Sequence, residues 1–459
     1  VTPMAETEQK KGEGLSRGLK ERHIQLIAIG GAIGVGLFLG SAKAIRTAGP
    51  ALMLSYLLGG VVIFLIMRAL GELALYKPVS GSFSAYAREF VAPWAGFVTG
   101  WTYWFLWVVT GMAEITAVGL YTKYWFPDIP QWIPALIALI AIYIINLIAV
   151  NVYGEVEFWF ALIKVVTILA LIGIGLLIIT TGWGNQGRPL GLSNLWAHRG
   201  FFPQGISGIL LSLQMVMFSF LGTELIGVTA GEAKDPEETL PSAIDKVLWR
   251  ILIFYIGALF VIMALFPWNE VTARVSPFVL TFEKIGIPGA AGIINFVVLT
   301  AALSSCNSGV FSTGRMMLTL SRSHQAPALF GRLNRRNVPA WGLTASALVL
   351  LIGVLLNYVI PKKAFIYITS ISTVGALWTW SIIIYAHLQY RKSVKAGRLP
   401  ESHYKFPGGA WLNWTILLFL AAVLILLGFD PETRVGLIVG PIWFAIVLTA
   451  YGMLRRKER

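Results

Sequence analysis

Cysteine is almost absent, with Cys306 standing alone in 459 residues. Neither an intramolecular disulfide nor a cysteine-built metal centre can form from it. The five histidines fall at no metal-ligand spacing, and the chain carries neither a phosphate-binding glycine loop nor a nucleophile elbow. Enzyme chemistry has no visible seat, and no cofactor or metal is expected. Charge is scarce as well, at 13% of residues, and no charged ring or filter motif marks an ion channel. Residues 1–23 are polar, with no apolar run ahead of Ile24, so no cleavable signal peptide is expected.

Hydrophobicity takes the place of charge. It reaches 56% of residues, with a mean hydropathy of +0.73, gathered into repeated long blocks. About 20 apolar residues cross a bilayer. The blocks read as an all-α polytopic membrane protein with twelve crossings, near 24–45, 50–73, 94–122, 132–150, 157–181, 207–231, 248–267, 289–318, 341–359, 364–388, 411–429 and 434–454. A net charge of +14 would suit a nucleic-acid binder until the charges are placed. The crossings put 24 Lys and Arg on one side, 10 on the other, and Arg68 and Lys164 within helices. The basic excess is thus a topology signal that sets both termini in the cytoplasm of a bacterial cell membrane. It also attracts anionic headgroups, so membrane lipids are expected partners and nucleic acid is not. Arg68 and Glu72, four apart, share a helical face and are expected to pair locally. Nothing in the residues sets an oligomeric state.

Two crossings are poor helices. The first contains Gly30-Gly31-Ala32-Ile33-Gly34-Val35-Gly36, then Gly40, and the sixth contains Gly222-Thr223-Glu224-Leu225-Ile226-Gly227. Glycine permits both close backbone approach and non-helical dihedrals. Two readings follow, close helix packing through small residues or a broken helix lining a protein-walled or wet site. The two crossings are separated by five, and an odd repeat length inverts the second copy. The implied organisation is a cytoplasmic tail 1–23, a first repeat 24–181, an outer loop 182–206, an inverted second repeat 207–388, a cytoplasmic loop 389–410, two further crossings within 411–454, and a tail 455–459.

Several stretches carry a specific resemblance. Arg22-His23-Ile24-Gln25-Leu26-Ile27-Ala28-Ile29-Gly30-Gly31-Ala32-Ile33-Gly34, Met67-Arg68-Ala69-Leu70-Gly71-Glu72-Leu73, Gly100-Trp101-Thr102-Tyr103-Trp104, Glu157-Phe158-Trp159-Phe160-Ala161-Leu162-Ile163-Lys164 and Asn307-Ser308-Gly309-Val310-Phe311-Ser312 resemble the amino acid, polyamine and organocation superfamily, and within it the bacterial amino acid transporter family. Around Trp101 to Glu114 and Phe296 to Arg315 the chain looks most like the D-serine, D-alanine and glycine permeases. Proline, aromatic and gamma-aminobutyrate permeases share much of the same wording. The resemblance implies the LeuT fold and movement of small neutral amino acids together with protons.

A zwitterionic amino acid loses water from its carboxylate and its ammonium on entering the bilayer's middle. Fixed backbone polarity is the least costly complement, with amides at a half-helix N-terminus for the carboxylate and unpaired carbonyls for the ammonium. Gly34, Val35 and Gly36 are the candidate amides, and Ala32 and Ile33 the candidate carbonyls. The resemblance places an aromatic cover at Phe218 and an acidic gate at Glu224, and Val35 is apolar where some relatives carry Ser. Phe218 also fits as core, and Glu224 as a carboxylate supporting the site from behind. Ser219 and Leu221 are further candidate carbonyls. On the third crossing Thr110 and Glu114 share a face that Gly111 and Met112 do not. Glu114 has three readings: receiving a substrate amine, taking part in proton linkage, or gluing helices together. Ser304, Ser305, Asn307 and Ser308 place small polar groups in the eighth crossing, for substrate, a cation or helix packing.

Lys164 is the sharpest sign of coupling, because burial disfavours an ammonium. A lysine that loses and regains a proton between states would link transport to a proton gradient, and its position resembles the membrane lysine of proton-coupled relatives. A structural salt bridge is the competing reading. Ser304 and Ser305 keep sodium as the second candidate ion. A non-transporting amino acid sensor is the alternative of another class.

Overall fold

The computed structural model describes residues 33–79, 81–148, 150–183, 187–229, 235–272, 275–285 and 289–457. Among them there are helices and loops and no strand. A π-helical turn, Gly36–Gly40, runs into α1 (Ser41–Ala48). Gly49, at φ +62°, and Pro50 then end the helix, the first by its left-handed backbone and the second by its missing N–H. Next come α2 (Leu52–Tyr76), α3 (Ser82–Phe90), α4 (Pro93–Thr122), α5 (Trp132–Ile148) and α6 (Val150–Thr181). The chain continues through α7 (Gly205–Ser219), α8 (Leu225–Thr229) and α9 (Pro236–Arg250), and a second π-helical turn, Ile251–Gly257, leads into α10 (Ala258–Leu265). The remaining helices are α11 (Pro277–Ile285), α12 (Ala290–Arg322), α13 (Ala340–Val359), α14 (Ala364–Lys395), α15 (Ala410–Leu426) and α16 (Arg434–Lys457).

Eight helical stretches are long and apolar enough to cross a membrane, and three shorter apolar helices accompany them. The centre of the bundle is α4, which packs along α12 and α14. Its most apolar window is 83% buried, whereas that of α16 is 11% buried, which puts α16 at the periphery. The crossing expected to begin near 248 starts at Pro236 instead. Proline in the first turn and the acids Glu237 and Glu238 beside it favour a helix start, while the polar turns that follow hide the helix from hydropathy.

The expected Arg68–Glu72 pair does not form. Arg68 Nη1 lies 2.9 Å from Asp245 on α9, and its guanidinium sits 3.7 Å from the centre of the Tyr404 ring. The Tyr404 hydroxyl donates to Asp245 at 2.6 Å, and burial, followed by that bond, holds the phenol above its usual range. Glu72 is fully buried and accepts from the Phe406 N–H at 2.7 Å, with Arg391 Nε 3.2 Å away. Asn413 Nδ2 donates to His387 Nδ1 at 2.9 Å, which leaves His387 Nε2 to donate to Glu72 at 3.0 Å. A helical pair four apart is worth about 0.3–0.5 kcal/mol, too little to outcompete several donors around a buried carboxylate.

Candidate functional site

Helix α7 stops at Ser219 and helix resumes at Leu225. Between them Gly222 adopts φ +98°, and its N–H points at both oxygens of Glu224, 3.1 and 3.3 Å away. Tyr103 and Trp380 stand beside that carboxylate. Across from this interruption, Ile33 and Gly34 are bends and helix begins at Val35. The two segments touch. A Cβ on Gly36 would stand 2.5 Å from Ser219 Cα, and one on Gly34 would stand 2.9 Å from both Glu114 Oε1 and Ser305 Oγ. Space, rather than backbone conformation, demands glycine at both positions.

Gly34, Gly36, Thr110, Glu114, Phe218, Ser219, Leu221 and Ser305 surround one cavity, joined by Trp107. It amounts to about 10 Å³, room for a single water molecule. Anything larger than water enters it only if its walls move. Val35 is buried beside this cavity with its backbone amide toward Glu114, and Ile33 is buried without lining it. Ala32 lies outside the described residues. Gly111 packs toward Leu350 and Met112 toward Gly353, leaving Thr110 and Glu114 to face the cavity.

The carboxylate of Glu114 occupies the place where a substrate carboxylate is expected. Ser305 Oγ donates to Oε1 at 2.6 Å, and Oε2 has no hydrogen-bond partner among the described residues. The start of a helix attracts acceptor oxygens, and here a carboxyl group of the protein itself stands there. Ser219 is tied on three sides. Its Oγ donates to Met215 O at 2.8 Å and shares a 3.0 Å bond with the Tyr56 hydroxyl, and its carbonyl accepts from Tyr255 at 3.0 Å.

Lys164 and Glu224 do not line the cavity. Lys164 is fully buried on α6, with Glu157 and Glu114 as its neighbouring charges. Glu157 accepts from Ser304 Oγ at 2.6 Å and is flanked by Asn307 and Ser308. Asn146 Nδ2 donates to Asn307 Oδ1 at 2.8 Å. Thus the adjacent Ser304 and Ser305 of α12 each serve a different carboxyl group. Sequence reasoning passed over Trp107 and Glu157. Trp107 stands three and seven residues before Thr110 and Glu114, on the same helical face, and Glu157 stands seven before Lys164, so the spacing carried both signals.

A multi-pass helical membrane protein whose buried polar groups converge on a small closed cavity between helix ends has the build of a carrier for a small solute. The chain belongs to the amino acid permease family, whose model matches residues 23–459; it is a transporter of amino acids and not an enzyme. It is 59% identical to an uncharacterized amino acid permease of Bacillus subtilis strain 168, over 96% of both chains. It is 45% identical to the D-serine/D-alanine/glycine transporter of Escherichia coli strain K12, over 100% of this chain and 98% of that one. A crystal structure of a mutant manganese transporter of Eremococcus coleocola matches with a TM-score of 0.58 at 14% identity, covering 95% of this chain and 93% of that chain. That likeness is one of fold alone. Among the described residues no group of three or more His, Cys, Asp or Glu is placed to hold a metal ion.

Proposed function

We propose that the chain imports small neutral amino acids, glycine, alanine and serine with D-isomers included, in symport with protons across the bacterial cytoplasmic membrane. The observation that carries this reading is the closed cavity between Gly34–Gly36 and the Ser219–Leu225 interruption, with Glu114 and Ser305 on its wall. Trp107 and Phe218 on its wall limit what fits once the walls part. Similarity to a D-serine/D-alanine/glycine transporter points the same way.

In this reading the first and sixth crossings are broken helices of a LeuT-like inverted repeat. Dividing the first long apolar stretch at Gly49 and adding the three shorter apolar helices supports twelve crossings. An even number puts both termini on one face, and the lysine and arginine bias makes that face cytoplasmic. The substrate carboxylate takes the amides of Gly34, Val35 and Gly36 once Glu114 withdraws, and its ammonium takes carbonyls near Ala32, Ile33, Ser219 and Leu221. Thr110 and Ser305 orient it, Phe218 covers it, and Glu224 steadies the interruption as the gate closes. Lys164, between Glu157 and Glu114, moves the coupled proton. Its ammonium supplies the positive charge that sodium would otherwise bring, and Ser304 and Ser305 are already engaged by carboxylates, which argues against sodium.

Radiolabelled glycine uptake into proteoliposomes under an inward proton gradient tests the reading. Accumulation without sodium, abolished by a protonophore and inhibited by D- and L-alanine and serine, is expected. Inhibition by proline, aromatic amino acids or gamma-aminobutyrate in their place would transfer the chain to those substrates. Saturable binding without flux would make it a sensor.

A further inference from the structure

We propose a binding site for an anionic phospholipid where the first turn of α4, the loop after α12 and the last turns of α16 meet. These elements enclose a cavity of about 490 Å³, away from the transport site. One part of its lining is apolar, formed by Pro93, Phe97 and Leu454, and suits acyl chain. The other part is polar, with Arg455 and His324 on the lining and Arg88 3.5 Å from Ser323 at its edge; the two arginines bring positive charge and the imidazole a ring N–H. Trp94 lines the cavity and is 41% exposed, as expected of a side chain at headgroup depth.

The backbone at His324 is the independent sign. The Gln325 N–H bonds Leu320 O at 2.8 Å and the His324 N–H bonds Ser321 O at 3.0 Å. That is the pair of hydrogen bonds of a Schellman motif, in which the residue donating the inner bond is left-handed and usually glycine. Here a histidine takes φ +57° and holds its ring against the cavity at a conformational cost that glycine would avoid. Apolar wall, interfacial tryptophan and cationic rim together match a phosphodiester with attached acyl chains better than a soluble anion. The inference rests on the chain spanning the membrane with these helix ends cytoplasmic, but not on its transport activity.

The test is lipid retention by the full-length protein, purified in detergent, exposed to phosphatidylglycerol, phosphatidylethanolamine, phosphatidylcholine or glycerol phosphate, and read by native mass spectrometry. Phosphatidylglycerol should be retained selectively, with about fivefold loss in Arg455→Gln, which removes one cation, and none in Arg398→Gln, an exposed arginine elsewhere on the same face. His324→Gly relieves the backbone and should retain less lipid while melting no lower than the parent, which separates binding from folding. Equal retention of phosphatidylcholine, displacement by glycerol phosphate alone, or equal loss in Arg398→Gln would each overturn the site. Because retention in detergent needs no flux, a failure here leaves the transport reading standing, and a failure of transport leaves this site standing.

Discussion

Single atoms decide the packing around the cavity. Gly36 and Ser219 approach so closely that an added methyl would stand 2.5 Å from a backbone carbon, and backbone cannot yield as a side-chain tip can. Gly36→Ala is therefore expected to abolish uptake, while Gly452→Ala, where nothing lies within 4 Å, should transport as the parent does. Radiolabelled uptake at matched protein content checks both, and a fully active Gly36→Ala would contradict the contact. At this scale the polar residues were legible in the sequence, because Thr110, Glu114, Ser305 and Lys164 interrupt apolar runs in which each needs a partner. Trp107 shares their helical face, but in a run with Trp101, Tyr103, Trp104 and Phe105 its type alone does not single it out. Glu157 was missed because hydropathy placed it at the very end of its crossing, whereas α6 begins at Val150 and carries Glu157 inward.

At the scale of elements, two π-helical turns converge on the end of α7. Gly36–Gly40 brings Gly36 against Ser219, and Ile251–Gly257 carries Tyr255, whose hydroxyl donates to the Ser219 carbonyl at 3.0 Å. Such single-turn insertions recur at functional sites, and here they fix the end of α7 at Ser219. Tyr255→Phe removes one hydrogen bond worth about 1 kcal/mol. Uptake should fall if the bond fixes this helix end during transport, with the melting temperature lowered by no more than one bond's worth; unchanged uptake would separate the turn from transport. Hydropathy placed most elements correctly, from Pro93–Thr122 to Ala340–Val359. It could not locate π turns, which add a residue without changing composition, nor the start of α9, whose first turns are polar.

Across the whole molecule, the polar interior forms one line. It runs from the cavity through Glu114 and Ser305 to Ser304, Glu157 and the buried Lys164. The line crosses α4, α12 and α6, so a change of charge at Lys164 would act on three helices that line the cavity or stand behind it. This arrangement was only half legible in the sequence. Lys164 and Glu114 each stood out as charges at membrane depth, but their connection depends on how α6 packs on α12, which no local pattern encodes. The central claim is that Lys164 converts this line into proton coupling. The most direct measurement is glycine accumulation in proteoliposomes against a stepped, inward pH gradient without sodium, comparing the parent with Lys164→Met and recording counterflow exchange in parallel. The parent should accumulate in proportion to the gradient, whereas Lys164→Met should exchange glycine without accumulating it. Gradient-driven accumulation by Lys164→Met, or a parent that accumulates only when sodium is present, would contradict the account.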